Sequence, residues 1–177
     1  MDDGRRTHFG GALLICTFGC MKSELQTIIY NLRASLSGEP WYGKSVYILI
    51  EQVHPALVYR KPQETGHSLI ELLYHMLTWS EFTLKRIQGE KESDMPSFEA
   101  MDWRTIDPQA HTWSSVTNDF RKTNEQILQL LQTKEDSWLE EKVDYRNYKF
   151  RSLLHGITQH HIYHAGQIAY VSKLLQS

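Results

Sequence analysis

Leu25, Ile28, Ile29, Leu32 and Leu36 follow one another at spacings of three and four residues, the step of one face of an α-helix. The same spacing returns in three further segments. The first stripe predicts a helix over 22–36, stopped by Ser37-Gly38-Glu39-Pro40, with Gly38 placed for a C-cap. A shorter helix is expected over 44–53, ahead of Pro55 and Pro62. The second long helix opens near Thr65, His67 or Ser68, and Ser68-x-x-Glu71 has the form of a capping box. Its apolar face is Leu69, Leu72, Leu73, Met76, Trp79, Phe82 and Ile87, and Gly89 ends it. A loop is expected from Glu90 to Asp107. The third long helix is expected to start near Pro108, with Trp113, Val116, Phe120, Ile127, Leu130 and Leu131 on its face. The fourth runs over 152–175. No segment alternates as a strand would. The chain is therefore expected to be all-α, an up-down four-helix bundle with an additional short helix.

With 177 residues, 41% of them hydrophobic, the chain is long enough for one domain with its own core. The net charge of -2 and the lack of a basic run exclude the footprint of a nucleic-acid partner. No apolar run is long enough to span a membrane as a helix. Both cysteines, Cys16 and Cys20, lie in the first twenty residues. The remainder can form no disulfide and offers no thiol nucleophile, which suits the reducing cytoplasm. The opening "MDDGRRTHFGGALLICTFGC" has a faint likeness to a lipoprotein signal, but its apolar run is short and two acids precede the arginines. Residues 1–20 are read as an N-terminal extension and 21–177 as the folded domain.

Three of the nine histidines fall in "QHHIYHAGQ", residues 159–167. Four residues make about one helical turn, so His160 and His164 project from one face. That face reads Leu153, Ile157, His160, His164, Ile168, Val171 and Leu175, so the pair interrupts an apolar stripe. His161 lies about 100° away and is expected at the surface. Core-facing imidazoles need partners, because an unpaired buried polar group costs about 1–3 kcal/mol. Either internal hydrogen bonds or a shared cation would satisfy them. His75 stands on the stripe of Leu72, Trp79 and Phe82 in the second long helix and could supply a third nitrogen if the helices are neighbours. The zinc-protease motif requires Glu directly after the first His; His161 stands there, which disfavours peptide hydrolysis.

The segments "EPWYGKSVYILIEQV", "TGHSLIELLYHMLTWSEFTLKRIQGE", "MDW" and "LLHGITQHHIYHAGQIAYVSKLL" resemble the DinB-like superfamily of metal-binding four-helix proteins. The resemblance covers nearly all of the chain after Met21. It implies a divalent metal, zinc or nickel, on His75, His160 and His164. It also implies a small-molecule substrate, a homodimer, and chemistry with a low-molecular-weight thiol such as mycothiol or bacillithiol. In that chemistry a metal-held thiolate attacks an electrophile; metal-dependent hydrolysis and a non-catalytic, metal-stabilised binding bundle are the alternatives. Three neutral nitrogens would leave a cation charged and open to a further ligand, as in catalytic zinc sites. The pocket is expected to be mostly apolar, walled by Trp79, Phe82 and Ile157.

Neighbouring groups carry secondary expectations. Glu71 lies one turn before His75, where it could orient that ring or serve only the capping box. Tyr163 could donate to a substrate or simply pack. Gln167 could bond within the site or between helices. His67 and His155 are read as helix-end histidines. Gly166 costs about 1 kcal/mol against alanine in a helix, so a close helix approach is its expected reason. Trp41, Tyr42, Trp103 and Trp113 are expected to be exposed and to cover a dimer contact.

Overall fold

The structure, a computed structural model, describes residues 23–62, 66–90 and 95–176. The N-terminal extension and its two cysteines lie outside the described residues. Six α-helices are present among them: α1 (Glu24–Ser37), α2 (Val46–Glu51), α3 (Leu69–Gln88), α4 (Met95–Asp102), α5 (Trp113–Leu131) and α6 (Phe150–Leu174). Single 3₁₀ turns occupy Pro55–Leu57 and Asp136–Glu140. No described helix is long and apolar enough to cross a membrane.

The expected all-α bundle is formed by the four long helices. α3 packs between α5 and α6, and α1 closes the ring against the same two. Glu24 pairs with Arg151, while Ser35 shares a groove with Gln159 and Ile162, so α1 and α6 run in the same direction. Phe82 lies near Leu153 and His75 near His160, so α3 opposes α6. Tyr74 lies near His111 and Ser80 near Asn124, so α5 runs with α3, and along the chain the four directions are up, down, down, up instead of strictly alternating. The core is made by the residues that the stripes selected: Leu25, Ile28, Leu32, Leu69, Leu72, Leu73, Phe82, Val116, Phe120, Ile127 and Ile168 are all essentially inaccessible to solvent.

Local chemistry sets the ends. Ser68 and Glu71 form the full reciprocal capping box at the start of α3. Gly89 ends α3 with φ of 76°, a left-handed cap that a side chain would strain. The start of α1 is capped twice. Ser23 Oγ accepts from the Gln26 amide, and the Asp136 carboxylate reaches over from the second 3₁₀ turn to accept from the Glu24 and Leu25 amides.

Two sequence expectations are corrected. The stretch 90–107 is not all loop, because α4 occupies its middle. Phe98 is its single fully buried residue, and with only Met95 and Met101 partly packed on either side its apolar period is too short to advertise the helix. Helix α5 starts at Trp113 under a Thr112 cap, not near Pro108; residues 107–111 form a turn closed by Asp107 and His111.

Candidate metal centre

Helix α3 presents His75 on the side that faces α6, and α6 presents His160 and His164 back toward it. Each of these rings offers a nitrogen, and the three nitrogens lie within 4.8 Å of one another. His75 Nε2 and His160 Nε2 approach to 2.9 Å. Two of the other ring nitrogens lie beside acidic or amide oxygens. His75 Nδ1 lies 2.6 Å from Asp102 Oδ1, and His164 Nδ1 lies 2.6 Å from Gln167 Oε1. Gln167 Oε1 fixes the His164 proton on Nδ1 and leaves that ring's Nε2 lone pair pointing inward, the tautomer that a metal ligand needs; the Asp102 carboxylate stands close enough to favour the same tautomer of His75, although His75 Nδ1 does not meet it in hydrogen-bond geometry. His160 Nδ1 is buried without a hydrogen-bond partner.

The donor set fits a divalent cation. Two lone pairs facing each other at 2.9 Å repel unless a proton or a cation stands between them. Burial holds His75 below the usual imidazole range, against the opposing pull of the Asp102 carboxylate. Burial, then the neighbouring imidazoles of His161, His164 and His75, push His160 down to about 2. Burial and then His75 push His164 down to about 4. At neutral pH the rings are therefore unprotonated, so protons do not compete with a cation for them.

Side chains around the triad fix its orientation. Asp102, at the end of α4, accepts from Trp79 Nε1 at 2.7 Å as well as contacting His75. Trp103 stacks on the His75 ring at 4.1 Å, and His67 stacks on the far face of Trp103 at 3.8 Å. Gln167 bonds within its own helix, donating to the exposed Tyr163 hydroxyl at 3.3 Å while accepting from His164. Glu71 is occupied elsewhere, by the Ser68 amide and hydroxyl and by Lys61 at 2.9 Å. Of the residues singled out from the sequence, Trp79, Tyr163 and Gln167 thus gather at the triad and Glu71 does not.

Asp102 was not singled out from the sequence, and Trp103 was expected at a dimer contact, not stacked on His75. They sit at the end of the helix that the sequence hid; their one signal was the short "MDW" stretch. His161 requires a correction. It is fully buried, not at the surface, and lies at the centre of the bundle. Its Nε2 lies 3.0 Å from Asn124 Oδ1 on α5 and 3.4 Å from Ser80 Oγ on α3, and the Asn124 amide donates to Ser80 Oγ at 3.2 Å. A polar pin therefore ties three helices directly behind the triad. Burial and then His164 push the His161 imidazole down to about 3, so it too is neutral. Gly166 is likewise corrected. It faces open space, and a Cβ there would meet nothing within 4 Å.

His160 also forms part of the wall of a groove of about 350 Å³ between α3 and α6. Trp79, Phe82, Leu153 and Ile157 line it, and Tyr148, Gly156 and Ser152 extend it away from the triad. The apolar wall expected from the sequence is present, and the groove is of a size that holds small ligands. Of the expected exposed aromatics, Trp41 and Tyr42 are exposed. Trp103 is exposed as well, its ring stacked on histidine, and Trp113 packs partly on the core.

No curated protein matches the chain. The sequence model of the DinB superfamily matches residues 45–168, a span that holds α2 to α5, most of α6, all three histidines and Asp102. With more than half of its length matched in this way, and with its all-helical bundle and buried histidine triad, the chain belongs to the DinB superfamily.

Proposed function

We propose that the chain is a metal-dependent thiol S-transferase, with His75, His160 and His164 holding a divalent cation, zinc or nickel. The observation that carries this reading is a double role for His160: its ring belongs to the triad and also forms the inner wall of the apolar groove. A divalent cation on three neutral imidazoles supplies positive charge and an open coordination position, which lower the pKa of a thiol that reaches it. The chain's own residues supply the rest. Asp102 and Gln167 keep the Nε2 lone pairs directed inward. The His67–Trp103–His75 stack holds one ring plane, and Trp79, Phe82 and Ile157 shield an electrophilic small molecule from water. The new bond joins the cosubstrate sulfur to the electrophilic carbon; the leaving group departs with its electron pair, and the thiol proton goes to solvent.

Hydrolysis is the less favoured alternative. The carboxylate that touches the triad, Asp102, is held by His75 and Trp79, so it is poorly placed to serve as a general base for water. A low-molecular-weight thiol needs no such base. It is also kept reduced inside the cell, so the proposal places the protein in the cytoplasm. Elemental analysis of protein purified without added metal, followed by a screen of thiols against electrophiles, tests the reading. About one cation per chain is expected from the single triad, together with turnover that requires the thiol and disappears with His160→Ala. Turnover that survives metal removal refutes the mechanism, and metal binding without turnover reassigns the chain as a binding module. Trp41 and Tyr42, both exposed, support a homodimer; a monomer mass in sedimentation equilibrium would contradict it.

A further inference from the structure

The groove beside His160 ends in a tight turn that the metal reading leaves without a role. Residues 143–148 are closed by Val143 N–H donating to the Tyr148 carbonyl at 3.0 Å and by Arg146 N–H donating to the Val143 carbonyl at 3.0 Å. An antiparallel bridge between Lys142 and Lys149 fastens its base. Tyr145 sits in it with φ of 59°, a left-handed conformation that a tyrosine adopts only where its surroundings enforce it. The turn is thus a fixed element. It carries Tyr148 into the groove wall and sets the Arg146 guanidinium 5.6 Å from the centre of the Phe82 ring, itself a groove residue.

Of the other cations of this segment, Lys142 is exposed at the base of the turn, and the two that follow the turn are neutralised. Lys149 pairs with Glu140, and Arg151 pairs with Glu24 and Glu140. Arg146 is half-buried, and among the described residues no carboxylate pairs with it. A guanidinium cannot shed its charge, and partial burial strengthens its pull on an anion. The groove walls offer little else that is polar. The Thr83 hydroxyl donates to the Trp79 carbonyl, which leaves the Tyr148 and Ser152 hydroxyls near the outer end.

We propose that the groove selects an amphipathic organic acid: an apolar body lies against Trp79, Phe82, Leu153 and Ile157, a carboxylate or sulfonate meets Arg146, and the opposite end faces His160. The inference rests on the proposed metal centre only for the chemistry at that opposite end. The acid preference belongs to the groove itself. Arg146 is in this sense a specificity residue, placed by the turn and not by a helix.

A matched pair of fluorescent probes tests it. Anilinonaphthalene sulfonate carries an acid on an aromatic body, and phenylnaphthylamine has the same rings without the acid. Both are titrated into the full chain, stripped of metal and again after zinc loading. The sulfonate is expected to bind more tightly than the neutral probe in both states. Arg146→Gln is expected to weaken the sulfonate by about ten- to hundredfold, the loss typical of a charged hydrogen bond, and to leave the neutral probe unchanged. Gly156→Leu is expected to weaken both probes, because position 156 lines the groove and has open space for a side chain. Equal binding of the two probes by the natural chain overturns the proposal. So does an equal effect of Arg146→Gln on both, or retention of both by Gly156→Leu. A chain that binds no zinc but keeps the Arg146 contrast sinks the metal reading and leaves this one standing.

Discussion

Replacing Asp102 separates the orientation of a ligand from its identity. The carboxylate lies 2.6 Å from His75 Nδ1 and 2.7 Å from Trp79 Nε1, with a side chain 24% exposed. Asp102→Ala removes the carboxylate whose charge beside Nδ1 favours a proton there, and frees the His75 ring to rotate or to change tautomer. Loss of such an outer partner typically weakens metal affinity by about ten- to hundredfold, or about 1.4–2.7 kcal/mol. Asp102→Asn keeps an oxygen that can accept from either donor and removes only the charge, so its loss should fall between wild type and alanine. Competition against a chromophoric zinc chelator at neutral pH measures both variants. Thermal melts of the metal-free proteins separate a folding defect from a binding one. Wild-type zinc affinity in Asp102→Ala would refute the argument that this carboxylate prepares His75 for a cation.

Three further outcomes follow from the buried imidazoles and the open glycine. In metal-free protein His160, His161 and His164 stay neutral, whereas the unfolded chain protonates them near pH ~6.5. The unfolded state therefore binds more protons below that pH. Stability should fall as pH drops from about 6.5 to about 4, by up to about 1.4 kcal/mol per pH unit for each ring that remains neutral; urea melts showing no change across this window contradict the assignment. Asn124→Ala should cost about 1–3 kcal/mol, because His161 Nε2 is left with Ser80 at 3.4 Å as its remaining partner; an unchanged denaturation midpoint would show that the pin carries no weight. Gly166→Ala should stabilise α6 by up to about 1 kcal/mol, read as a higher melting temperature, since the added methyl meets nothing.

The bundle and the triad were legible because both are written in helical period. Leu72, His75, Trp79 and Phe82 share one face of α3, and a histidine there has to look into the core. The same rule misplaced His161, for a physical reason. α6 is not buried along a narrow stripe: it contacts α1, α2 and α3 through Leu154, Ile157, Thr158, Ala165 and Ile168 and reaches Asn124 on α5, so its buried arc takes in a residue 100° from His160. Asp102 was hidden for the opposite reason. α4 fully buries only Phe98, with Met95 and Met101 partly packed beside it, and one short turn-length repeat in eight residues is too little to read as a helix. Its carboxylate meets His75 through tertiary packing, which no local pattern records.

The donors of the triad stand far apart in the chain: His75 and His160 are separated by 85 positions. A cation joining them would behave as a removable crosslink, closing a long loop that holds α4 and the whole of α5. Neither α5 nor the turns around it supplies a nitrogen to the site, yet their amides would exchange with solvent more slowly once the loop is closed, because opening the bundle would then mean surrendering the ion.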